Sequence, residues 1–216
     1  MYLGLACEGV SDHAVIENII VGLLDDFDVD TLKPLQPHID ETTRKQSGFG
    51  GWTTLFDYLI TDRFEEDLIN SFSMIIHFDS DISQIQGFDV LHQDRENNPL
   101  EPEVLVEKIK ARIIALINTK RANLYAEYEN KIIFCISVHS IECWILPFYV
   151  ESSKKHKIIN CERALQHQLQ PRSLVKSFDF YLELSGKLAE RRNVKILRKR
   201  DRSFDIFCRQ LENFTS

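Results

Sequence analysis

No apolar run in this 216-residue chain approaches the roughly 20 residues that a membrane-spanning helix needs. The opening stretch from Met1 to Cys7 has no basic region and soon meets Glu8, which argues against a signal peptide. The five cysteines, at 7, 135, 143, 161 and 208, form no Cys-x-x-Cys pair. An odd, dispersed set predicts reduced thiols in a cytoplasmic protein, not a disulfide frame or a zinc site. The chain also lacks Gly-x-Gly-x-x-Gly and Gly-Lys-Ser/Thr, which excludes the dinucleotide fingerprint and the P-loop. It has no internal repeat and no low-complexity tract.

One sign of charge is missing locally. Residues 1–30 hold seven acids and no Lys or Arg. Residues 187–202 are the reverse, with Lys187, Arg191, Arg192, Lys195, Arg198, Lys199, Arg200 and Arg202 against two acids. The net charge is −7, and without that stretch the remaining 18 bases and 31 acids leave −13. An acidic body with one basic stretch points that stretch at an anion, a nucleic-acid backbone being the natural one, or at solvent as an ordinary helix face.

What is present alternates between short apolar runs and amphipathic segments. Tyr2 to Cys7 reads as a first strand. Glu8-Gly9-Val10-Ser11-Asp12 reads as a tight turn, and Val15, Ile16, Ile19, Ile20, Leu23 and Leu24 recur at helical spacing. Val29 to Pro37 is a strand that its prolines confine to an edge, and Glu41 to Gly51 is a glycine-bearing loop. Trp52 to Ile69 is a helix. Ser73 to Asp81 is a buried strand ending in Asp79-Ser80-Asp81. Ile82 to Pro102 is a loop, and Pro102 opens a helix that ends near Asn118. Lys131 to Val138 is a strand whose carboxyl end carries Glu142. Residues 151–185 are mixed, and Leu197 to Phe214 is a last helix. The alternation predicts a parallel α/β sheet.

In such a sheet all carboxyl ends lie along one edge, where ligand sites form. Glu8, Asp79, Asp81 and Glu142 therefore have the chance to converge. Clustered carboxylates repel unless a cation joins them, and hard cations such as Mg²⁺ or Mn²⁺ take oxygen ligands. An Asp-Ser-Asp turn that merely caps the next segment is the plainer reading of residues 79–81.

Glu8-Gly9-x-x-Asp12 after the first strand, followed by Asp79-x-Asp81 after a later one, resembles the TOPRIM domain of topoisomerases, primases and the overcoming-lysogenization-defect nucleases. Ser137-x-His139-x-Ile141-Glu142-x-Trp144 and Ser203-Phe204-x-x-Phe207-x-x-x-Leu211 are similar to segments of small bacterial TOPRIM-like proteins linked to phage defence. The resemblance covers residues 1–150 and, more weakly, the C-terminus. It implies a Rossmann-like sheet of about four parallel strands between helices, with residues 151–216 a mostly helical extension packed on the same domain. It also implies Mg²⁺ or Mn²⁺ held by Glu8, Asp79 and Asp81, with Glu8 as general acid or base and Glu142 as a further catalytic acid. Ile82-Ser83-Gln84 follows the Asp79-x-Asp81 pair where many relatives carry Glu or Gly, which leaves the number of metals open.

The function expected on these grounds is metal-dependent hydrolysis of phosphodiester bonds in DNA or RNA, with Lys187, Arg191, Arg192, Lys195 and Arg198 on the nucleic acid. Two alternatives stand beside it. One is a non-catalytic interaction or sensor module working with a separate ATPase. The other is a haloacid-dehalogenase-like phosphatase, since Asp79-Ser80-Asp81-Ile82-Ser83 is near its motif. His77 is expected to be a satisfied core histidine. His139 is expected either to assist proton transfer or to bind loop backbone, and Trp52 and Trp144 to pack. Cys7 and Cys143, beside acids, are expected to be poor thiolates.

Overall fold

The computed structural model describes residues 2–39, 46–47, 50–150 and 159–214. Its centre is a four-stranded parallel sheet of β1 (Leu3–Ala6), β2 (Leu32–Gln36), β5 (Ser73–Asp79) and β6 (Ile132–Ser137), in the order β2-β1-β5-β6. Two further two-residue strands, β3 (His38–Ile39) and β4 (Gln46–Ser47), pair antiparallel. The Glu41–Gly51 loop otherwise lies mostly outside the described residues, as do residues 151–158.

β1, β5 and β6 read as near-continuous apolar runs because helices cover both faces of the sheet. Leu3, Leu5, Ile75, Ile133 and Cys135 point into one core, and Ala6, Met74, Ile76, Phe134 and Ile136 into the other. The first core is closed by α1 (Val10–Leu23), α8 (Phe178–Leu184), α9 (Arg191–Arg198) and α10 (Arg202–Phe214). The second is closed by α2 (Trp52–Leu59), α3 (Asp62–Asn70) and α4 (Pro102–Lys120). Phe204 and Phe207 share the first core with Val15 and Ile19, so the C-terminal helices complete the same body as β1 and α1.

Two expected helices are each broken in two. Trp52–Ile69 divides where Thr61 caps α3 by accepting the Phe64 N–H. The last helix divides at Lys199–Asp201, where Asp201 accepts the Phe204 N–H. β2 is an edge strand, as its proline requires. The opposite edge, β6, is protected by a side chain: the Gln210 amide accepts from the Phe134 N–H at 3.2 Å and donates to the Phe134 carbonyl at 2.9 Å. It thereby imitates one more strand.

The cysteine expectation needs correction. Cys143 and Cys161 form a disulfide across 18 residues of sequence. They meet because α6 (Glu142–Ile145) packs against the first turn of α7 (Cys161–Gln168), a tertiary contact that spacing alone does not reveal. Cys7, Cys135 and Cys208 are free and buried. Among the described residues no helix is long and apolar enough to cross a membrane.

Candidate functional site

The chain reverses direction across the sheet between β1 and β5: β1 is followed by its neighbour on one side, and β5 pairs with it on the other. Such a switch point opens a crevice at the strands' carboxyl ends. Glu8 leaves β1 there and Asp79 ends β5. A Glu8 carboxylate oxygen accepts the Asp79 N–H at 3.0 Å.

Asp79 is fixed from three sides. Its Oδ1 accepts from the Ser137 hydroxyl and from the Ile141 N–H at 2.9 Å, and lies 3.4 Å from His77 Nε2. Asp81 lies in the short turn after β5, where its N–H donates to the His139 carbonyl at 3.0 Å. In return the His139 N–H donates to the Ser80 hydroxyl at 2.7 Å. Both bonds are made by the His139 main chain, which has positive φ, and involve no atom of its imidazole. Asp81, His139 and Ser140 line a cavity of about 420 Å³ whose opposite wall is the start of α7.

His77 is wholly buried, but it is not an ordinary core histidine. Alternation along β5 puts it on the face of Ile75 and Asp79, beneath α1. There its ring lies between Asp79 and Asp12, with Nδ1 3.8 Å from Asp12 Oδ2 and without a hydrogen-bond partner. Asp12 sits in the first turn of α1, where it accepts the Gly9 N–H at 2.8 Å.

The field of this cluster is strongly negative. Burial, then Asp79 and Asp12, push the Glu8 carboxyl well above the usual range. Burial raises Asp12 to about 7, assisted by Asp79 and Glu142 and opposed by His77. Burial, Asp79 and Glu142 raise Asp81 to about 6. Burial disfavours the His77 cation, but the hydrogen bond to Asp79 and the fields of Asp12, Asp79 and Glu8 outweigh it and lift His77 to about 9. Cys7, buried beside these acids, is pushed far up, as expected of a poor thiolate.

Glu142 reaches this field from a separate pocket. It is 1 % exposed, and its Oε1 accepts from Lys176 Nζ and from the Tyr181 hydroxyl, both at 2.6 Å. Burial alone would raise its pKa, but Lys176, Tyr181 and Ser140 hold it below the usual value. Glu142 is therefore a charged, fully engaged carboxylate, whereas Glu8 and Asp81 are acids under repulsion.

Glu8, Asp79 and Asp81 are hard oxygen donors whose repulsion a divalent cation would relieve, so the chemistry of the donor set fits Mg²⁺ or Mn²⁺. Among the described residues no three His, Cys, Asp or Glu side chains stand at chelating distance from one another. Glu8 accepts from the Asp79 N–H, and Asp79 from the Ser137 hydroxyl and the Ile141 N–H, so drawing these acids onto one ion requires side chains to turn.

The basic residues lie elsewhere. α9 packs beside the C-terminal end of α1, where a Cβ on Gly22 would meet the Leu188 carbonyl. That end is about 20 Å from Glu8 along a 14-residue helix. Arg191 pairs with Asp25, and Arg198 with Asp205 and Glu212. Lys187 donates to the Phe148 carbonyl at 3.4 Å, and Arg192 and Lys195 are exposed. Trp144 packs between Phe204 and Phe207, and Trp52 against Phe56 and Phe88.

Lys176 and Tyr181 are the site residues that sequence patterns do not single out. Asp12 stands in the Glu8-Gly9-x-x-Asp12 turn, where the motif assigns it no role of its own. Lys176 and Tyr181 follow Glu142 by 34 and 39 residues and carry no local signal. No family model, curated protein or solved structure matches this chain, so its likenesses rest on these residues alone.

Proposed function

We propose that this is a TOPRIM-like, Rossmann-type protein that hydrolyses phosphodiester bonds in DNA or RNA with the help of Mg²⁺ or Mn²⁺, in a bacterial defence setting in the cytoplasm. The observation that carries the reading is the Glu8–Asp79 hydrogen bond at the switch point, where burial and then the neighbouring acids raise Glu8, Asp12 and Asp81 together. A bound divalent ion would supply an acidified water and neutralise developing phosphoryl charge.

The chain's own residues divide the remaining work. Asp79 is held rigid by Ser137 Oγ–H and the Ile141 N–H, so it presents a fixed carboxylate. His77 bridges Asp79 and Asp12 and keeps their repulsion bounded. Glu8, whose carboxyl burial and the neighbouring acids push above the usual carboxylate range, holds its proton more tightly than a free carboxylate and is the group assigned to general acid–base work. Asp81 faces the cavity, where the nucleic-acid strand enters. Lys176, half-exposed and near enough to act on the Asp81 carboxyl, and Arg163, in the wall of the cavity, are cations suited to meet a phosphate oxygen.

A second reading keeps the fold but not the chemistry: a sensor module for a separate ATPase. The pairing of Arg191 and Arg198 with acids, at the end of α1 remote from Glu8, favours it. Purified protein incubated with plasmid, single-stranded DNA and RNA, each with Mg²⁺ and Mn²⁺, separates the two. Strand cleavage abolished by chelator supports the nuclease. Intact substrates throughout support the module, and phosphate release from a monoester alone would point to a phosphatase.

A further inference from the structure

The Cys143–Cys161 disulfide joins two backbones that carry the two carboxylates on one lysine. Cys143 follows Glu142, and Cys161 precedes Glu162. Lys176 Nζ lies 2.6 Å from Glu142 and 3.2 Å from Glu162. Glu142 is anchored below the surface by the Tyr181 hydroxyl, whereas Glu162 is exposed on the first turn of α7. The position of Glu162 therefore depends on what holds that turn, and the covalent tie of Cys161 to α6 is its nearest restraint. The same turn walls the cavity that Asp81 lines.

We infer that Cys143–Cys161 is a reducible modification site that controls the availability of Lys176. Oxidised, the bridge keeps both Glu162 and Glu142 on the ammonium, so the cation is spent within the protein. A dithiol reductant entering through the cavity that Cys161 lines attacks the bridge at Cys161. The S–S bond breaks, two electrons and two protons pass to the cysteines, and the reductant leaves as its own disulfide. The first turn of α7 then loosens and carries Glu162 away, while Lys176 keeps only its buried partner and can turn toward an anion at Asp81. The other three thiols do not compete: Cys7, Cys135 and Cys208 are not among the residues that line this cavity, and burial raises all three thiol pKa values.

This inference does not rest on the nuclease reading, and its test needs no activity. The intact protein is labelled briefly with an amine-reactive ester, with and without prior dithiothreitol, and lysine modification is read by peptide mass spectrometry. Lys131, which donates to the carbonyls of Leu68, Ile69 and Ser71 in the body of the fold, is the internal control. Reduction is expected to raise Lys176 labelling severalfold and leave Lys131 unchanged. Glu162→Gln should raise it in the oxidised protein, and Cys143→Ser with Cys161→Ser should raise it whether or not reductant is present. Should that double variant fail to fold, the wild-type and Glu162→Gln comparisons still decide. Equal Lys176 labelling in both redox states would overturn the inference. So would a parallel rise at Lys131, which would mean general loosening, or a non-reducing peptide map without the 143–161 crosslink.

Discussion

Glu8 and Asp79 leave adjacent parallel strands and meet through a single hydrogen bond, the Glu8 carboxylate accepting the Asp79 N–H at 3.0 Å. A carboxylate that accepts from the backbone of another acid is held close to that acid's charge. This one contact turns two strand ends into one electrostatic unit, and most of what can be tested follows from it.

Mg²⁺ or Mn²⁺ should raise the melting temperature, because a ligand that binds only the native state stabilises it. Asp79→Asn and Asp81→Asn should each abolish that rise. Scanning calorimetry checks this, and an undiminished metal shift in Asp81→Asn would remove that residue from the site.

The variants should also separate by role in cleavage. Asp79→Asn and Asp81→Asn are expected to be inactive. Glu8→Gln should leave at most a trace, about 10²- to 10⁴-fold below wild type if its contribution is proton transfer. Glu142→Gln should be intermediate, because it weakens the hold on Lys176 without touching Asp79. Gel-based cleavage rates, with melting curves to confirm folding, decide among these. Full activity in Glu8→Gln would contradict the assigned role.

The pH dependence of the metal-free protein has a definite sign. A carboxyl whose pKa is raised by folding binds its proton more tightly in the native state, so stability falls as pH rises between its unfolded and folded values. Asp81, at about 6, and Asp12, at about 7, both do this. His77, raised to about 9, contributes stability that is full below its unfolded value and lost as pH passes 9. Glu142, held low, works oppositely, but its contribution is complete above about pH 5. His13, held down to about 4 by burial, adds stability as pH rises toward its unfolded value and so opposes the acids below about pH 6.5. Melting temperature should therefore decline from about pH 6.5 to about pH 9. Asp12→Asn should flatten the acidic part of that decline and His77→Gln the alkaline part. A melting temperature that climbs over this range would be incompatible with the mutual repulsion described.

Gly22→Ala tests how tightly the C-terminal helices clasp α1. An added Cβ would fall 2.0 Å from the Leu188 carbonyl oxygen and 3.0 Å from the Ala189 carbonyl carbon, so backbone must move. Overpacking of this kind costs about 1–3 kcal/mol. Urea denaturation measures it, and an unchanged midpoint would show that residues 188–189 yield freely.

The sheet was legible because β1, β5 and β6 are buried on both faces, and so read as apolar runs bounded by turns. Asp79 and Asp81 were legible as the polar end of such a run. The helix breaks at Thr61 and Asp201 were hidden, because apolar spacing continues across them and only the caps mark the interruption. His77 was misread because alternation places it on a buried face without saying that Asp12 faces it from α1. Lys176 and the Cys143–Cys161 pair were invisible for the same reason: both depend on how residues 159–176 fold back over α6, and no local pattern encodes that return.

The most direct test is a crystal soaked with Mn²⁺ and measured for its anomalous signal. The expected result is a peak at the carboxyl ends of β1 and β5, ligated by Glu8, Asp79 and Asp81, with Glu142 still on Lys176 and Tyr181. No peak at millimolar Mn²⁺, with Glu8 remaining on the Asp79 N–H and Asp81 turned to solvent, would contradict a metal-dependent site and leave the sensor module standing.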